Sequence, residues 1–257
     1  MQIAEKAVKS SIYLTFSPII LIFVGFFGNL ILAGLLIPEY FGTVAFASSI
    51  FGFVQRPRAF GLNLALIHKQ VDKSNRDAYY STHLIIQALL SLFVMVIAFA
   101  ISPLLSFKYD KILIIIFLIL ATASIFDKDG LSSTPATILE KELRYSVVSW
   151  ANLISTILSF GIAILMACLG FGVWSLVVMN LVLIIVPLFT YWVFAQWKPD
   201  LKKIRFDRGI AFWFLSQQGI FLWIAGISYF LTLIFDDFLV GTLVGTLALG
   251  YYSVAYI

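Results

Sequence analysis

A chain of 257 residues that is 61% hydrophobic and 12% charged carries about half the charge of an average soluble domain and cannot cover a water-facing surface. Its net charge of +4 comes from basic residues placed between long apolar runs, which fits membrane topology and argues against a nucleic-acid partner. The single cysteine, Cys168, excludes a disulfide framework, and the composition reads as an all-α polytopic membrane helix bundle.

Crossing the hydrocarbon core takes about 20 apolar residues. Runs of that kind fall at 12–36, 42–67, 82–106, 111–133, 146–169, 173–196 and 210–235, and an eighth begins at Phe238. The stretch from Ile12 to Ile37 is too long for a signal-peptide core and no small-residue cleavage site follows it, so a first spanning helix is expected there. The runs are continuous rather than alternating, which argues against a barrel. The inner end of the fourth run stays open. Phe126 to Pro135 is either a solvated loop, or the span continues to about Leu139 and holds Asp127, Lys128 and Asp129 in the inner leaflet.

The basic residues set the orientation. Lys6 and Lys9 precede the first run; Lys69, Lys73 and Arg76 follow the second; Lys128, Lys141 and Arg144 follow the fourth; Lys198, Lys202, Lys203, Arg205 and Arg208 follow the sixth. Thus thirteen of the seventeen lie on one side, and Lys108 and Lys111 alone lie on the other. The N-terminus is therefore expected in the cytoplasm.

The remaining two, Arg56 and Arg58, bracket Pro57 inside the second run. If that run spans 42–67, Arg56 sits near the midplane, where a central arginine costs roughly 2.5–3.5 kcal/mol. Pro57 removes a backbone donor and disfavours helical geometry at Arg56, so a kink is expected. One reading makes the pair a cationic patch in a water-filled cavity, suited to bidentate recognition of a diphosphate. In the other, the span is shorter and the arginines snorkel to the interface. Asn29, Asn152, Asn180, Gln217 and Gln218 are further polar residues inside runs, able to meet sugar hydroxyls or to bond between helices. Asp127 and Asp129, if intramembrane, are candidates for coupling to an ion gradient.

No catalytic constellation is present. His68 and His83 have no partners at metal-ligand spacing, and neither a phosphate-binding G-x-x-x-x-G-K-[ST] loop nor a G-x-S-x-G elbow occurs. No loop is large enough for a soluble catalytic domain. We therefore expect no enzyme, no cofactor and no metal.

Three stretches carry a resemblance. Leu36-Ile-Pro-Glu-Tyr-Phe-Gly42 resembles the segment after the first span of polysaccharide-biosynthesis membrane proteins. Ile138-Leu-Glu-Lys-Glu-Leu-Arg-Tyr145 and Leu169-Gly-Phe-Gly-Val-Trp-Ser-Leu176 resemble two of their connections. Asp237 to Ala255, with Gly241, Gly245, Leu249, Gly250, Tyr252 and Ala255 in register, looks like their D-x-x-x-x-G-x-x-x-G-x-x-x-L-G-x-Y-x-x-A stretch, shifted by one at the first glycine. The family is that of the O-antigen and exopolysaccharide flippases, within the multidrug/oligosaccharidyl-lipid/polysaccharide exporter superfamily. The resemblance implies two six-helix lobes around a central cavity, alternating access in the bacterial inner membrane, and a cargo of undecaprenyl-diphosphate-linked oligosaccharide. On that pattern residues 1–208 form the first lobe and 209–257 the start of the second, so a missing second lobe or partner chain is expected to be required. The rivals are a drug or cation exporter of the same superfamily and a non-transporting membrane component of a polysaccharide assembly complex. A shift of 208 residues aligns 22–49 with 230–257, pairing Phe27 with Phe235, Leu35 with Leu243, Gly42 with Gly250 and Ala47 with Ala255, in keeping with parallel repeats.

Overall fold

The computed structural model describes residues 2–58, 61–72, 74–200, 204–217, 224–225, 227–228, 231–232 and 234–255. All regular structure among them is helical. The elements are α1 (Gln2–Leu35), α2 (Pro38–Val54), a 3-10 turn (Arg56–Arg58), α3 (Leu62–His68), α4 (Arg76–Ser106), α5 (Lys111–Ala123) and α6 (Ser133–Lys141), then α7 (Tyr145–Cys168), α8 (Val173–Phe194), α9 (Arg208–Gln217), α10 (Phe235–Leu243) and α11 (Thr246–Ala255). Four stretches among the described residues are long and apolar enough to cross a bilayer: Ser10–Leu35, Arg76–Ser106, Tyr145–Cys168 and Val173–Phe194. They turn bulky apolar side chains such as Ile22, Phe23, Phe27 and Leu165 outward. Together with the hydropathy pattern, this makes the protein a multi-pass membrane helix bundle.

Three expected spans differ from their drawing. Phe238, the expected start of the eighth, lies inside α10, and the next helix begins only at Thr246. The seventh, 210–235, lies partly outside the described residues. The second run is not one helix over 42–67. It starts four residues earlier, at Pro38, and breaks between Val54 and Leu62. Pro57 lies in the middle of the 3-10 turn, and Gly61 takes a left-handed φ of 64° that restarts the chain as α3. The kink expected at Pro57 is therefore a full interruption. The fourth run likewise stops at Ala123 and resumes at Ser133 instead of continuing to 133 as a helix. At 1.5 Å per residue, the first break lies about 25 Å from the start of α2 at Pro38, most of the thickness of a hydrocarbon core of about 30 Å. Arg56 thus lies near one end of that path and not at its middle.

Backbone at that depth must satisfy its own polar groups, and the second break does so. The Leu131 amide donates to the Ile125 carbonyl at 2.7 Å, and the Gly130 and Ser132 amides donate to the Asp127 carbonyl at 3.0 and 3.2 Å. The Ser132 hydroxyl donates to the Phe126 carbonyl at 2.6 Å. Gly130 is needed because a Cβ there would overlap the Ile125 carbonyl oxygen.

Lipid is as apolar as leucine, so helices in it associate through close packing and hydrogen bonds. One buried cluster joins Leu32, Phe46, Phe117, Leu176 and Leu249 from α1, α2, α5, α8 and α11. A second joins Leu62, Leu66, Leu84, Ile138 and Phe214 from α3, α4, α6 and α9. Among the described glycines, the tightest approach is at the crossing of α2 and α11. A Cβ at Gly42 would overlap the Thr246 carbonyl oxygen, and one at Gly250 would overlap that of Pro38. These contacts exchange under the 208-residue shift. The same shift carries the end of α1 at Leu35 to the end of α10 at Leu243, and the start of α2 at Pro38 to the start of α11 at Thr246.

The α6–α7 turn ties the ends of α1, α3 and α8 together. Leu143 takes a φ of 55°, which aims its neighbours at separate helices. Lys141 Nζ donates to the Leu66 carbonyl at 2.8 Å and also to the Lys69 carbonyl. Arg144 Nη1 donates to the Phe194 carbonyl at 2.7 Å, and the Ser10 hydroxyl donates to the Leu143 carbonyl at 2.7 Å. Cations at the last carbonyls of α3 and α8 oppose the negative ends of their dipoles.

Candidate functional site

The two breaks meet. Arg58, only 4% exposed, reaches the second break with its whole guanidinium fork. Its Nη1 donates to Asp127 Oδ2 at 3.3 Å, its Nη2 donates to Asp127 Oδ1, and its Nε donates to the Asp129 carbonyl at 3.3 Å. Asp127 Oδ1 also accepts the Asp129 amide at 2.9 Å. Neither charge is tolerable alone at this depth, whereas a bidentate pair with its remaining hydrogen bonds made is. Arg56 points elsewhere: its Nε donates to the Gly52 carbonyl at 2.7 Å, and Asp129 is its electrostatic partner. The arrangement expected from the spacing, two guanidinium groups converging on an open vestibule, is not the one observed, because Asp127 lies where Arg58 can reach it.

Beside the break lies a polar cavity of about 380 Å³. The second break contributes Asp127 and the exposed Lys128, α3 contributes Asn63, α6 contributes Glu140, and α7 and α8 contribute Asn152 and Tyr191. The Tyr191 hydroxyl donates to Asn152 Oδ1 at 3.0 Å, so Asn152 both joins α7 to α8 and faces the cavity. Glu140 lies one residue beyond Leu139, in the last turn of α6.

Behind the cavity a buried polar cluster holds α3, α4 and α6 in place. Gln87 Nε2 donates to Asn63 Oδ1 at 2.9 Å and to the Ser133 hydroxyl at 3.0 Å. The Ser133 hydroxyl donates to Asn63 Oδ1, and His83 Nδ1 lies 2.9 Å from the Thr134 hydroxyl. Asn63 is therefore oriented from behind while it lines the cavity.

The remaining polar candidates fall apart from this group. Asn29 is half-buried on α1. Asn180 donates to the Leu176 carbonyl of its own helix at 2.9 Å. The side chain of Gln217 and the whole of Gln218 lie outside the described residues. Sequence reasoning missed Lys128, Asn63, Glu140 and Tyr191 as cavity residues. Lys128 and Glu140 had a signal, since both lie in the ambiguous stretch from Phe126 to Leu139 or at its edge; Asn63 and Tyr191 had none.

No curated protein and no solved structure matches the chain significantly. A family model described as polysaccharide biosynthesis protein matches residues 31–257, a span that takes in both breaks, the cavity and the Gly42–Gly250 crossing. The chain belongs to that family, and its role lies in polysaccharide biosynthesis.

Proposed function

We propose that the protein is a flippase that moves undecaprenyl-diphosphate-linked oligosaccharide from the cytoplasmic to the outer leaflet of a bacterial inner membrane, with its N-terminus in the cytoplasm and no covalent chemistry of its own. The observation that carries this reading is the meeting of two interrupted helices beside a polar cavity in an otherwise apolar bundle. Irregular backbone at membrane depth is tolerated where it lines a cavity or is buried in protein, and discontinuous helices build the substrate sites of many transporters. The cavity supplies a cation, Lys128, for phosphate, and the amides and phenol of Asn63, Asn152 and Tyr191 for sugar hydroxyls.

Arg58 holds the two breaks together, and Arg56 adds positive potential nearby. Asp127 and Asp129 remain the acids to which a coupling proton would go; protonating Asp127 would release Arg58 and free α3 to move against α6. Residues 1–208 act as one lobe, and 209–257 belong to the other. A cation exporter of the same superfamily is the rival reading: Lys128 opposes such a cargo, whereas Glu140 lines the same cavity and would attract it.

Depleting the protein in cells tests the reading. Lipid-linked oligosaccharide is expected to accumulate on the inner leaflet, where it stays inaccessible to an external glycan-modifying enzyme. Unchanged delivery to the outer face in depleted cells would overturn the proposal and favour a non-transporting component.

A further inference from the structure

A second polar cavity, of about 240 Å³, lies where α4 begins and the chain leaves α8. It shares no lining residue with the cavity beside the breaks. Arg76, Asp77 and Ser81 line it from the first two turns of α4, and Trp197, Lys198 and Asp200 from the connector after α8. Its wall is held in place. Trp197, 5% exposed, donates through Nε1 to Asp77 Oδ1 at 2.9 Å, and its ring meets that of Tyr80 edge to face with centroids 5.6 Å apart. Thr82 fastens the connector again further on. Its Oγ1 donates to the Arg205 carbonyl at 3.4 Å and accepts the Asp207 amide at 3.2 Å.

In this cavity the acids are engaged and the donors are not. Asp77 is held by Trp197, and Asp200 has a partner of its own. Arg76 lies over the Tyr80 ring, 6.0 Å from its centroid, and among the described residues neither it nor Lys198 makes a hydrogen bond or an ion pair. Ser81 is 2% exposed and lines the cavity, yet its hydroxyl has no partner among the described residues. A buried helical serine ordinarily donates to the carbonyl four residues back, as Ser91 does to Gln87. Asn75, just before α4, gives that helix no side-chain cap, so its first amides also face this end unclaimed by a cap. Two cations, a buried hydroxyl and a helix N-terminus make a receptor for a phosphate group. We infer that this cavity binds the phosphodiester of an anionic membrane phospholipid, bridging Arg76 on α4 to Lys198 on the connector. A membrane span begins at Arg76 and another ends at Phe194, so the cavity lies at the membrane boundary. Val193 and Phe194 beside it turn outward, as lipid-facing residues do. The carboxylate of Asp77 favours a phosphodiester, with its single charge, over a free phosphate with two. The bound lipid fastens the connector between α8 and α9 to α4, a role independent of what the protein transports.

The test uses the intact protein in neutral detergent, with phosphatidylglycerol, phosphatidylcholine or inorganic phosphate added and bound lipid counted by native mass spectrometry. Wild-type protein should retain phosphatidylglycerol over phosphatidylcholine by about tenfold, and Lys198→Gln should cut that preference about fivefold. Lys198 is exposed, so its replacement leaves the fold intact, which unchanged thermal unfolding without added lipid would show. Ser81→Ala, which alters no charge, should also weaken phosphatidylglycerol. Lys108→Gln, an exposed cation beyond the other end of α4, should have no effect. A wild type without preference for phosphatidylglycerol would overturn the site. So would a preference that survives both Lys198→Gln and Ser81→Ala, which would make it a general effect of surface charge. Displacement of phosphatidylglycerol by an equal concentration of inorganic phosphate would overturn the lipid as occupant and leave a free-anion site.

Discussion

Arg58 and Asp127 stand 69 positions apart in the sequence, and each alone would be an uncompensated charge in an apolar bundle. Removing one partner of such a pair leaves the other stranded, at a cost of about 3–5 kcal/mol. Arg58→Gln should therefore lower the thermal stability of the purified protein sharply, and Arg58→Gln with Asp127→Asn should recover most of the loss. A double variant that is stable yet inactive in export would show that the pair also serves transport; one as unstable as the single variant would remove its structural role. The sequence made Arg58 visible as an anomaly but hid its partner. Pairing depends on two chain breaks coming to one depth, and no local pattern around either residue records the other. Lys128 was legible only as one of two alternatives: next to Asp127 and Asp129 it reads equally as a solvated loop charge, and the return of the chain into α6 makes it a cavity wall.

At the scale of elements, hydropathy finds apolar length and is blind to backbone path. Runs 42–67 and 111–133 are apolar enough to read as continuous, although each contains an interruption. Pro57 announced the first, because a missing donor and a restricted φ are local properties. The second was signalled only by the cluster Asp127, Asp129, Gly130, Ser132 and Pro135, chemistry that suits a surface loop equally well. What distinguishes them is satisfaction of the backbone from within, which requires the fold. Glycine contacts were legible only in part. Gly42 and Gly250 matched in the repeat alignment, but their mutual approach was not visible. Gly250→Ala places a methyl group against the Pro38 carbonyl and should destabilise the protein by about 1–3 kcal/mol as the helices are forced apart. Gly25→Ala, with nothing within 4 Å of the new carbon, should be neutral or slightly stabilising in thermal unfolding, since alanine is the better helix former by about 1 kcal/mol.

For the whole molecule, the membrane class and the order of helices follow from composition and from runs of about 20 apolar residues, and the family model agrees across residues 31–257. The sidedness is a prediction from charge. With Cys168 replaced by Ser, a cysteine at Lys111 should react with an impermeant maleimide added to intact cells, and a cysteine at Lys9 should react only after lysis. The reverse pattern would invert the topology. The 208-residue correspondence of helix ends is a property of the entire chain that identity alone barely showed, because apolar positions tolerate many residues while turn positions must be kept.

The meeting of α2 and α11 at Gly42 and Gly250 is bare main chain against bare main chain. With no Cβ between them at that point the two backbones come as close as they can, so the crossing is a fixed point about which the rest of each helix is levered. Any tilt of one helix on the other would be magnified with distance from that point. A few degrees there translate into ångströms at the far ends of both helices.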